Sequence, residues 1–75
     1  KMTEKELETI KDNLNAYKAN FDYISIEKEN FGKGYYIFTT KERKEFGNYT
    51  QYCYNIDYLN GWLYGCVQAI HGMCK

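Results

Sequence analysis

The chain contains no proline, one histidine (His71), and no CxxC pair among its three cysteines. With neither proline nor a low-complexity stretch there is no linker, and residues 1–75 are expected to form one α+β domain. The odd set Cys53, Cys66 and Cys74 is no disulfide framework, so free thiols are expected. Net charge is absent too. Ten basic and ten acidic residues balance, which argues against binding nucleic acid or anionic membrane through bulk charge. The C-terminal apolar run holds Asn60, Gln68 and His71 and is too short and polar to span a bilayer. The N-terminus is polar and acidic, unlike a secretory leader. A soluble, cytoplasmic chain with no membrane partner is expected.

The most local absence is one of charge. Although 27% of the chain is charged, Tyr58 to Cys74 contains no Asp, Glu, Lys or Arg. A surface helix normally carries charge on its solvent side. This segment is therefore expected to be covered on more than one side, by its own fold or by a partner. What the chain does have is aromatic area: nine Tyr, four Phe and one Trp in 75 residues. Tyrosine suits both core edges and interfaces, and cores this small often lean on a partner.

Thr3-Glu4-Lys5-Glu6 forms a capping box, and Leu7, Ile10, Leu14, Tyr17 and Phe21 follow at helical spacing. A helix ending near Lys18 to Asn20 is predicted. Residues 22–27 alternate, with Ile24 and Ile26 on one face, and Gly32 and Gly34 mark a turn. Residues 35–40 read as a second strand. The charged run 41–45 reads as the exposed end of that strand or a loop. Residues 49–54 read as a third strand, and Asn55 or Asp57 caps a final helix. The order is α-β-β-β-α. The expected architecture is a three-stranded antiparallel sheet with the N- and C-terminal helices packed on one face.

On a helical wheel of the last segment, Leu59, Trp62, Leu63, Cys66, Ile70 and Met73 gather as a core face. Gly61, Gly65 and Gly72 gather opposite, with Gln68 between them and Tyr64 and His71 alongside. Each glycine costs a helix about 1 kcal/mol relative to alanine. Three readings account for them. The first helix packs on the strip within the chain; the strip is a partner-binding or homodimer surface made of Gly61, Tyr64, Gly65, Gln68, His71 and Gly72; or the helix breaks near Gly61 or Gly72.

Other chemistries are weaker. Cys66-x4-His71-x2-Cys74 lacks the ligand number and geometry of structural zinc, and neither metal nor cofactor is expected. No nucleophile elbow or Ser-His-Asp order exists, and Glu27, Glu29, Glu42 and Glu45 read as solvated charges, so no enzymatic activity is expected. Lys33-Gly34-Tyr35-Tyr36-Ile37-Phe38 resembles, in part, the first ribonucleoprotein motif of RNA-recognition domains, where strand aromatics stack on bases. Tyr36, Ile37 and Thr40 depart from that motif. The alternative this supports is a single-stranded nucleic-acid module using Lys33, Tyr35, Arg43, Tyr52 and Tyr54.

The segment from Tyr58 to Ala69 (Tyr-Leu-Asn-Gly-Trp-Leu-Tyr-Gly-Cys-Val-Gln-Ala) resembles the C-terminus of small uncharacterised proteins carried by phages and mobile elements of Gram-positive bacteria. The resemblance covers about a sixth of the chain. It implies a binder of a host or element-encoded protein, one version being an anti-CRISPR-like inhibitor of a bacterial defence system that acts by occluding a surface. It assigns no role to any residue.

Overall fold

Thr3 starts the first helix. Its hydroxyl accepts from the Glu6 N–H (3.2 Å), and its own N–H donates to the Glu6 carboxylate (2.8 Å), closing the capping box. The structure is a computed structural model that describes residues 2–73, Met73 by its backbone alone. Helix α1 runs Glu4–Asn20 and ends where Phe21 turns extended. It buries Ile10 and Tyr17, with Leu14 and Phe21 partly buried beside them.

Strands β1 (Ser25–Lys28), β2 (Tyr35–Phe38) and β3 (Gln51–Cys53) form an antiparallel sheet in the order β1-β2-β3. The register pairs Ile26 with Ile37 and Tyr35 with Cys53, placing these four on one face. Helix α3 (Ile56–Met73) packs on that same face alongside α1. Asn55 is its cap, accepting the Tyr58 N–H through Oδ1 at 2.7 Å. Ile10, Ile37, Cys53, Leu59 and Leu63 are wholly buried where the three elements meet. The Asn13 side-chain amide ties α1 to α3, donating to Asn60 Oδ1 at 2.8 Å and to the Asn60 carbonyl at 3.4 Å. The predicted α+β arrangement, with both terminal helices on one face of a three-stranded antiparallel sheet, is the observed one.

Three details differ from the sequence reading. The charged run is neither strand nor loop: Lys41–Phe46 is a short helix, α2. Thr40 caps its start by accepting from the Arg43 N–H (3.0 Å), and Gly47 ends it in the left-handed region at φ 71°. The strands are shorter than expected, β1 starting at Ser25 and β3 spanning three residues. The buried face of α3 is rotated to include Val67, while Trp62, Cys66 and Ile70 are only half-buried. The side chain of Met73, expected in the core, lies outside the described residues.

Helix α2 lies over the opposite face of the sheet. The Lys44 ammonium sits 5.1 Å above the Phe38 ring, donates to Ser25 Oγ (3.0 Å), and pairs with Glu27. This covers Phe38, which is 6% exposed.

Glu6 anchors α1 to the sheet. Its carboxylate accepts from the Lys28 ammonium of β1, the Thr3 N–H, and the Tyr35 hydroxyl of β2. These three donors, Lys28 foremost, hold its pKa near 2, against 4.5 ordinarily. Burial, together with the bond to Glu6, pushes the Tyr35 hydroxyl up to about 12. Because the Glu6 pKa is depressed by folding, its stabilisation is complete above pH 4.5 and is lost as pH falls from there towards about 2. Thermal unfolding followed across that window should show wild type losing stability with a component that Glu6→Gln lacks. Glu6→Gln should also be the less stable protein at neutral pH.

Candidate functional site

The outer face of α3 follows from its helical geometry. Successive residues advance about 100°, so the side opposite Leu59 and Leu63 carries Gly61, Gly65, Gln68 and Gly72. All four are exposed. A Cβ built on Gly61, Gly65 or Gly72 meets nothing within 4 Å. Helix α1 therefore does not cover the strip, and α3 runs unbroken through Gly61 and Gly72. Two of the three sequence readings are thereby overturned, since α1 is drawn instead to the Leu59–Leu63 side by the core. Tyr64, 55% exposed, and exposed His71 flank the strip as expected.

Sequence reasoning missed two parts of this face. Ala69 continues the row Gly61, Gly65 at spacing four and is exposed. Tyr58, 40% exposed, borders the glycines on the side away from Tyr64, and a shallow notch lies between Tyr58, Gly61 and Trp62. The wheel positions of Ala69 and Tyr58 were readable from the sequence; their exposure was not. Tyr54 joins them. Its ring meets that of Tyr58 at 4.9 Å with a 50° tilt, extending an aromatic wall from the end of β3 along the start of α3.

The residues of the nucleic-acid alternative are not gathered on one surface. Tyr35 lies on the inner sheet face, 3% exposed, bonded to Glu6. Its assignment to a nucleic-acid-binding surface is thus corrected, since a buried ring cannot stack on a base. Tyr52 is on the outer face, paired across the strands with Tyr36. Tyr54 is beyond β3, against Tyr58. Lys33 is in the β1–β2 loop and Arg43 on α2, both exposed. The outer aromatic group is instead Tyr36, Tyr49 and Tyr52, with ring centroids 5.0 and 5.2 Å from Tyr36. The Tyr52 hydroxyl donates to Glu29 Oε1 (2.9 Å), a bond that raises its pKa, and its ring lies where a side chain on Gly34 would stand. Glu29 also accepts the Gly34 N–H at 3.1 Å. This group closes the hairpin turn.

The thiols sit inward. Cys53 is wholly buried, which pushes its pKa up to about 11, and half-buried Cys66 is shifted upward by burial as well. Such thiols are weak nucleophiles at neutral pH. Cys74 lies outside the described residues. Among the described residues, no group of three or more His, Cys, Asp or Glu could hold a metal ion, and no helix is long and apolar enough to cross a membrane. The chain matches no family model, no curated protein and no solved structure.

Since open space surrounds Gly61 and Gly65, alanine there adds helix propensity without a clash. Gly61→Ala and Gly65→Ala should each stabilise the free protein by about 1 kcal/mol. In thermal melts that corresponds to a rise of about 4–8 °C apiece. A fall in melting temperature at concentrations where the protein is monomeric would mean that the strip is covered in the free chain.

Proposed function

We propose that this chain is a non-enzymatic protein-binding module that docks its partner on the bare outer face of α3. The observation carrying this reading is that three glycines on one side of an uninterrupted helix stand in open space. They weaken the helix and contribute no packing to the fold, so the benefit offsetting their cost lies outside the monomer. Removing side chains from a helix face lets another backbone approach closely, and small residues at spacing four suit such contact (a rule best known from membranes). Tyr58 and Tyr64 supply rigid contact area on either flank, and Gln68 and His71 supply hydrogen-bonding groups.

The partner is a host or element-encoded protein, or a second copy of the chain. The resemblance of this segment to phage and mobile-element proteins supports the first, with occlusion of a host factor or defence protein, anti-CRISPR-like, as the mode of action. The nucleic-acid alternative is the less supported, because Tyr35, Tyr52 and Tyr54 do not share a surface.

Gly65→Leu tests the proposal. Its circular dichroism should match wild type, since the added side chain enters empty space. Mass in solution over a concentration series separates self-association from monomer. Capture from the native host then compares wild type with the variant. The expected result is loss of the dimer or of the captured protein. A folded Gly65→Leu protein that retains both would sink the reading.

A further inference from the structure

We infer that the free edge of β1 is a second docking surface, which takes an extended, acidic peptide segment as an added strand. This goes beyond the α3 proposal in both surface and mode of binding.

The backbone carries the first part of the argument. In an antiparallel ladder, alternate residues direct their N–H and C=O to the neighbouring strand. The Glu29 N–H donates to the Gly34 carbonyl at 2.8 Å, and the register pairs Glu27 with Tyr36 and Ser25 with Phe38. Residues 25, 27 and 29 thus face β2. Ile26 and Lys28 turn their N–H and C=O groups to the other side, where no strand pairs with β1 among the described residues. That edge is a hydrogen-bonding template.

The side chains carry the second part. Beside the edge runs an open groove of about 640 Å³ between β1 and α1. Met2, Leu7, Leu14, Ile24 and Ile26 form its apolar lining, and Leu7 is 43% exposed. A strand added at β1 would send every second side chain into this groove. Apolar residues at alternate positions fit it.

Charge supplies the third part. Lys18, Lys28 and Lys44 line the groove, against one acidic side chain, Glu27. Glu6 holds Lys28 and Glu27 holds Lys44. Lys18 is exposed and has no ion pair among the described residues, so the cation left over at the mouth fits a carboxylate on the incoming segment. A second β1 edge would bring only lysines already paired, Lys28 and Lys44, and no unpaired carboxylate to meet Lys18, which favours a foreign acidic segment over a second copy.

A displayed library of random octapeptides is the probe. Selected peptides should alternate apolar and polar residues and carry Asp or Glu. N-methylation of a selected peptide on one alternate set of amides should lower affinity by about tenfold or more, and on the other set should leave it nearly unchanged. Lys18→Glu should weaken an acidic peptide by about 3- to 10-fold. Leu7→Glu, at an exposed position, should abolish binding in a protein that still melts cooperatively. Gly65→Leu should bind the peptide like wild type, which separates failure here from failure of the α3 reading. The inference is overturned if no peptide is enriched, if both N-methylated sets behave alike, or if Leu7→Glu binds normally.

Discussion

The fold depends on one apolar seam. Ile10 of α1 and Leu59 and Leu63 of α3 close over Ile37 at the middle of the sheet, all without solvent contact. Burying side chains of this size contributes about 1.5–3 kcal/mol each, and a chain this short has few others. The seam requires both helices on the same face of the sheet. That placement leaves α3 with a single buried side, and it determines which residues of α3 remain outside. Glu6 complements the seam at its rim, joining the cap of α1 to β1 and β2 through one carboxylate.

Among the described residues, the opposite sheet face has no helix layer of comparable size. Short α2 covers Phe38 through Lys44, and the remaining strand surface is roofed by Tyr36, Tyr49 and Tyr52. Aromatic rings serve here in place of a second layer. They account for part of the unusual tyrosine content, and they do so structurally: Tyr52 packs against Gly34 and is bonded to Glu29. Tyr54, Tyr58 and Tyr64 differ in kind. They stand 40–61% exposed around α3, and the fold itself has little use for them.

Much of this was legible in the sequence for identifiable reasons. The Thr3–Glu6 capping box and the three-and-four spacing of α1 use strong local rules, and the structure follows them. The chain also turns at Gly32 and Gly34, but neither takes positive φ, and Gly34 instead leaves room for the Tyr52 ring. Helix α2 escaped because six residues cannot display a period, although Thr40 and Gly47 bracket it. The facing of Tyr35 escaped because Tyr35-Tyr36-Ile37-Phe38 is apolar at every position, so alternation gives no inward or outward signal; register against β1 and β3 decides it. The glycine face was visible on the wheel. Whether α1 would lie across it depended on tertiary packing, which local rules do not reach.

A surface formed by glycines has an asymmetric future under mutation. Every substitution at Gly61 or Gly65 adds atoms to space that is now empty, and none can remove any. Elsewhere on an interface, drift can enlarge or trim a contact and so follow a changing partner. Here the chain can only raise its own surface, and the better helix so formed makes the change hard to select against on stability alone. On the proposed reading of α3 as a docking face, adjustment must therefore come from the flanking Tyr58, Tyr64 and Gln68, or from the partner, while the bare track between them persists only as long as that partner rewards it.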